Sequence, residues 1–187
     1  MPFVDIWKVA GKLISAVVED EAKLLYEIAL KVLEPGDLVV EIGSEYGRSS
    51  LILGQAAKDK KALLVCIDCF IGPPGAYRTQ LRAAFDQTMN IYKMPHLLYP
   101  MRSENVYNLI NYPIKVLFID GDHSIEGVRQ DCDNYIPKVN GIIAFHDYYT
   151  KCPQVQMGVD EAVAKYGLAL VKQTLGMIVY KKRTCDA

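Results

Sequence analysis

Five short apolar runs alternate with helical patterns along most of this chain, and that alternation restricts the fold more than any other feature. The runs fall at residues 38–42, 62–67, 96–100, 115–119 and 141–145. Between them, apolar residues recur at three- and four-residue spacing over 49–58, 78–91, a short stretch at 103–110, and 125–136. Strands separated by helices are joined by crossovers rather than tight turns, so they pair in parallel and are covered on both faces. The expectation is an α/β chain folded as a three-layer sandwich with a mostly parallel sheet. A helix over 155–166 closes at Gly167, and two further runs at 168–173 and 175–181 flank a turn near Gly176. They read as an antiparallel terminal hairpin, giving seven strands.

The N-terminal part reads differently. Residues 9–33 are expected to form a long helix, or two. Leu13, Ile14, Val17 and Val18 mark one apolar face, and Leu24, Leu25, Ile28, Ala29 and Val32 continue it to the stop at Glu34-Pro35-Gly36-Asp37. The 187 residues suit a single domain. It divides into an N-terminal helical segment (1–36), a ligand-binding core (37–150) and a closing helix and hairpin (151–187). The segment Phe70 to Gly75, with Gly72-Pro73-Pro74-Gly75, is the candidate for a lid.

Composition excludes several classes. With 51% hydrophobic and 23% charged residues, the chain is not a disordered segment. The formal net charge is −1, and Lys181-Lys182-Arg183 is its largest basic cluster, so nucleic acid is not an expected partner. No run reaches the ~20 apolar residues of a membrane span, and Met1 to Asp5 lacks the pattern of a signal peptide. A cytoplasmic location is expected. Five cysteines, an odd number, read as free thiols. Cys66 and Cys69 have Cys-x-x-Cys spacing but end a strand and lack a second pair, so they read as core or edge residues.

In parallel sheets, ligands bind beyond the carboxyl ends of the strands. Those ends carry Gly43 to Gly47, then Asp68, then Ser103 and Glu104, then Asp120, Asp122 and His123, then His146 and Asp147. The first is a glycine-framed turn leading into a helix that Ser49 or Ser50 is placed to cap. Asp68 follows Gly43 by 25 residues, where an acid can accept both hydroxyls of a ribose. The turn does not follow the dinucleotide pattern Gly-x-Gly-x-x-Gly, because position 45 is Glu. Glu41 and Glu45 would repel a pyrophosphate and suit a ligand bearing positive charge.

Glu41-Ile42-Gly43-Ser44-Glu45-Tyr46-Gly47 resembles the first motif of class I S-adenosylmethionine-dependent methyltransferases. Phe118-Ile119-Asp120-Gly121-Asp122-His123-Ser124, Asp131, and Gly141 to Tyr148 resemble one branch of them more narrowly. That branch holds O-methyltransferases related to macrolide-sugar methyltransferases, and cephalosporin-hydroxylase-like proteins. The resemblance implies a Rossmann-like sheet and S-adenosylmethionine as cofactor. It implies a donor site built from Glu41, Gly43, Ser44, Glu45, Gly47, Ser49, Asp68, Ser103 and Asp120. Ser103 would lie near adenine, although Arg102 stands where an acid is common in the family. Asp120 and Asp147 match positions that bind Mg²⁺ in metal-dependent relatives, and His123 matches the general base.

The residue chemistry is compatible with this. Asp120, Asp122 and Asp147 offer two or three carboxylates to a hard cation, and His123 and His146 are two candidate bases. Tyr46, Tyr77, Tyr148 and Tyr149 are candidates for an acceptor pocket. The expected activity is O-methylation of a small hydroxylated acceptor. The alternatives are a nicotinamide-dependent oxidoreductase on the same scaffold and a non-catalytic ligand-binding relative. Expected partners are the small-molecule acceptor and, left open, further copies of the chain in a homo-oligomer.

Overall fold

A computed structural model describes residues 2–71, 78–149 and 152–183. Seven strands form one sheet: β1 (Leu38–Ile42), β2 (Leu63–Ile67), β3 (Leu97–Tyr99), β4 (Ile114–Ile119), β5 (Val139–Phe145), β6 (Leu168–Gln173) and β7 (Ile178–Lys182). Their order is β3-β2-β1-β4-β5-β7-β6, and only β7 runs antiparallel, against both β5 and β6. The helices are α1 (Phe3–Ala10), α2 (Glu19–Val32), α3 (Arg48–Lys60), α4 (Arg78–Ile91), α5 (Ile125–Tyr135) and α6 (Pro153–Tyr166). The three-layer sandwich and terminal hairpin expected from the sequence are both present.

Strand alternation builds two cores. Val39, Cys66, Val116 and Phe118 face one side, where they meet Ile6 of α1, Leu25 and Ala29 of α2, Leu51 and Leu53 of α3, and Phe85 of α4. Val40, Ile42, Leu117, Ile119 and Phe145 face the other, against Val128 and Cys132 of α5 and Val155 and Val159 of α6. All five residues of β1 are therefore buried. Coverage on both faces is why the strands read as continuous apolar runs rather than as alternating ones.

Of the long helix or two expected over 9–33, the structure has two, α1 and α2, with different bounds. Residues 11–18 leave helical geometry and separate α1 from α2. Arg48 holds this strap: its guanidinium donates to the carbonyls of Ala10, Leu13, Ser15 and Val17, and it stands 5.7 Å from the centroid of the Trp7 ring. Carbonyls turned toward a side chain cannot close helical bonds. Val17 is buried, but Ile14 and Val18 are exposed, so the four apolar residues do not share a face. The stretch expected as a short helix at 103–110 is two 3₁₀ turns, Ser103–Asn105 and Tyr107–Leu109.

Backbone bonds just past the strands align their ends. Gly43 N–H donates to Ile67 O, Asp68 N–H to Tyr99 O, Asp120 N–H to Ile42 O, and His146 N–H to Ile119 O. One rim thus carries the glycine turn, both acids and the histidine. The chain crosses to β2 and β3 on one side of β1 and to β4 on the other, so the crevice of such a sheet opens beside β1 and β4.

Candidate active site

A cleft of about 640 Å³ opens at this crevice, a size suited to a cofactor. The turn after β1 forms its floor. Gly43 has φ +90°, and a Cβ there would stand 2.0 Å from the Asp120 carbonyl oxygen, so only glycine lets the β1 and β4 ends meet this closely. Gly47, at φ +89°, is the N-cap of α3 and has no side-chain cap; neither Ser49 nor Ser50 fills that role. Ser50 instead turns inward, and its hydroxyl, with that of Ser44, donates to Glu41.

Glu41 is consequently a brace behind the turn. It is fully buried and does not line the cleft, which corrects its expected place in the donor site. Period two sends it to the same face as Val39, toward α3. Burial raises its pKa, against the opposing hydrogen bonds of Ser49, Ser50 and Ser44. The Asp68 carboxylate meets the turn from the front. Oδ2 accepts from the backbone amides of Ser44 and Glu45, both at 2.7 Å, and Oδ1 accepts from that of Phe70. The two amides take both lone pairs of Oδ2, and Oδ1 keeps one for a ligand.

The cleft is strongly acidic. Glu45, Asp68, Glu104, Asp120, Asp122, Asp131 and Asp147 line it, with Arg102 the one guanidinium among its described lining residues. Burial and then the charges of Asp120 and Asp68 raise the pKa of Glu45. Backbone is also held in unusual conformations here: Glu45, Phe70 and Asp147 all have left-handed φ, at 46°, 55° and 59°. Such non-glycine positions cost about 1–3 kcal/mol each and gather at functional sites.

The ends of β4 and β5 bring four residues together. His123 Nε2 lies 3.5 Å from Asp120 Oδ1 and 3.2 Å from Asp147 Oδ2. His146 Nδ1 lies 3.2 Å and 3.4 Å from the same two oxygens, and its Nε2 lies 3.1 Å from Glu21 Oε2. Hydrogen bonding to Asp120 raises the His123 pKa, against burial. For His146, burial opposes the charged ring, but the nearby Asp120, Asp147 and Glu21 carboxylates outweigh it and push the pKa up to about 12. His146 is thus buried, absent from the cleft wall and held as a cation, and it is a poor candidate for the base. His123 is on the wall and half-exposed.

Asp122 does not join this group. Its Oδ1 accepts from the Ser124 amide at 2.9 Å, a bond that holds its pKa below the usual carboxylate range. His146 is the third group within reach of Asp120 and Asp147, but in its charged form both ring nitrogens are donors and it is not a ligand. Its buried Nδ1 has no well-directed hydrogen bond. Two carboxylates at one point fit a hard divalent cation, with Asp120 and Asp147 as its oxygen ligands.

Other expected residues are distributed as follows. Ser44, Ser49, Asp68, Ser103 and Asp120 line the cleft. Ser103 donates its hydroxyl to Asp131, whose burial pushes its carboxyl up to about 6. Tyr148 is buried and donates to Asp160, Tyr149 stacks edge-on against Tyr148, and Tyr46 packs in the core. None of these three lines the cleft, which corrects the expected tyrosine pocket. Tyr77, Cys185 and the Gly72-Pro73-Pro74-Gly75 lid lie outside the described residues. Cys66 is core, whereas Cys69 reaches the cleft wall. Missed altogether was Glu21, which no local signal ties to a histidine 125 residues away. The strap residues Ile14, Ser15 and Ala16, within the N-terminal segment expected to shape the acceptor pocket, form one wall.

Residues 40–148 match the family described as "Methyltransferase domain". The chain belongs to that family. Its fold is that of class I S-adenosylmethionine-dependent methyltransferases. The O-methyltransferase NovP superposes with a TM-score of 0.70 at 19% identity, covering 87% of this chain and 79% of NovP. The SAH-bound methyltransferase PaMTH1 of Podospora anserina does so with 0.70 at 15% identity, covering 98% and 89%. The uncharacterized protein R132 of Acanthamoeba polyphaga mimivirus is 29% identical over 150 residues, which are 75% of this chain and 66% of R132. No described helix is long and apolar enough to cross a membrane.

Proposed function

We propose that the chain catalyses S-adenosylmethionine-dependent O-methylation of a small hydroxylated acceptor, aided by a divalent cation at Asp120 and Asp147. The observation that carries this is the acidic cleft built around the Gly43–Gly47 turn. Seven carboxylates facing one guanidinium favour a cationic ligand and oppose the pyrophosphate that a nicotinamide cofactor would bring. The likeness to NovP supports a hydroxyl acceptor.

When bound, S-adenosylmethionine supplies a methyl group on a positively charged sulfur, and the cation supplies charge that acidifies the acceptor hydroxyl. The chain's own residues do the rest. The Gly43–Gly47 backbone and Ser49 hold the amino-acid end of the donor, Asp68 Oδ1 takes a ribose hydroxyl, and Ser103 stands at the base end. His123 Nε2 takes the acceptor's proton, with Asp120 and Asp147 stabilising the imidazolium that results. Ile14 to Ala16 exclude water from one side.

Thermal melting with S-adenosylhomocysteine and with NAD tests the reading. A ligand at 100 times its Kd stabilises by about 2.7 kcal/mol, a shift of about 5–10 °C for a chain of this size. The shift is expected with S-adenosylhomocysteine alone. Stabilisation by NAD alone would overturn the methyltransferase reading in favour of an oxidoreductase.

A further inference from the structure

We propose that His123, Asp147 and Cys152 form a binding site for a transition-metal ion of the zinc class at the rim of the cleft. The ligand atoms of these three residues all lie within 4.8 Å of one another, and His123 Nε2 is 3.2 Å from Asp147 Oδ2. Around a tetrahedral ion with bonds of 2.0–2.3 Å, ligand atoms stand about 3.3–3.8 Å apart. Closure around an ion therefore needs a contraction of about 1.5 Å at most.

Each ligand is delivered by a constrained piece of backbone. Cys152 is the N-cap of α6, directly before Pro153. Asp147 is held in the left-handed region at φ 59°, and its Oδ2 faces His123 Nε2. His123 precedes the N-cap of α5, Ser124.

Donor chemistry selects the ion. Mg²⁺ wants oxygen ligands in octahedral array, and the Asp120–Asp147 pair suits it. An imidazole, a thiolate and a carboxylate suit zinc and its neighbours, and three protein ligands leave the fourth position open. Binding releases the thiol proton, so affinity rises with pH. Such an ion would occupy His123 Nε2, the atom used for proton transfer in the proposed reaction. Only that competition rests on the methyltransferase reading; the binding itself does not.

Cobalt(II) titration of the metal-free protein tests the site, because thiolate ligation gives a near-ultraviolet charge-transfer absorption that oxygen and nitrogen ligands do not. The expected result is one equivalent of Co²⁺ bound with that absorption, displaced by Zn²⁺ and not by Mg²⁺. Cys152→Ser is expected to abolish the absorption and weaken binding by more than about tenfold, while melting at the wild-type temperature. Cys69→Ser, which alters the thiol on the cleft wall, is expected to leave both unchanged. Absence of Co²⁺ binding, binding without the absorption, or an absorption that follows Cys69 instead of Cys152 would each overturn the proposal. Methyl transfer need not be measured, so failure here is distinct from failure of the proposed activity.

Discussion

Asp131 is 3% exposed, lines the cleft, and has one described side-chain partner, the Ser103 hydroxyl. Its carboxyl ionises at about 6 in the folded chain, raised by burial, and at about 3.9 in an unfolded one. Between those values the folded state holds the extra proton, so this group's contribution to stability falls as pH rises through that window. The gap of about two units corresponds to about 3 kcal/mol. Asp131→Asn keeps a partner for Ser103 but cannot ionise. Relative to wild type, the variant is therefore expected to gain up to about 3 kcal/mol between about pH 4 and pH 7. Urea unfolding at both pH values measures this, and a pH-independent difference between the two proteins would contradict it. Residues of this kind were only partly legible in the sequence. Asp120 and Asp147 could be placed because strand–helix alternation puts strand ends on one rim. Asp122 was misplaced because a neighbouring local demand, the Ser124 amide, captures its carboxylate. Glu21 had no local signal, since only the docking of α2 brings it to His146.

At the level of elements, the strap between α1 and α2 shows where local pattern fails. Leu13, Ile14, Val17 and Val18 have helical spacing, yet Arg48, 31 to 38 residues further along, takes the carbonyls of 10–17. Periodicity reports only on neighbours in sequence, so it could not register this. Arg48 is the first residue of α3, one step past the glycine turn, and so couples the floor of the cleft to its Ile14–Ala16 wall. A hydrogen bond to a charged group contributes about 1.5–3 kcal/mol, and these act as a set. Arg48→Ala is expected to lower stability by about 2–4 kcal/mol and to speed amide exchange across residues 12–18. Arg48→Lys is expected to recover little of this, because an ammonium lacks the planar fork that reaches several carbonyls at once. Unchanged exchange in that segment would show that the strap is held by its apolar contacts instead. The sheet strands were far easier to read, because each is buried on both faces and its apolar run is a complete signal.

For the whole molecule, the site and the part of the chain that makes it possible are separate. No described residue lining the cleft lies beyond Asp147. Yet β7, near the C-terminal end, is inserted between β5 and β6 rather than added at an edge. Met177 and Val179 enter the core shared with α1 to α4, and Ile178 and Tyr180 enter the core shared with α5 and α6. One short strand thus serves both layers and pairs with neighbours on each side. A chain ending at Gln173 would keep every candidate site residue but lose these apolar groups and leave β5 unpaired along Ile142–Phe145. It is expected to lose its cooperative thermal transition and with it any stabilisation by S-adenosylhomocysteine. Val179→Asp makes the same point without shortening the chain: it buries a charge at a fully buried position, a change expected to cost more than about 3 kcal/mol. If either variant melted cooperatively and still responded to S-adenosylhomocysteine, the cleft would not depend on β7. The terminal hairpin would then be an addition to the fold and not a condition of it.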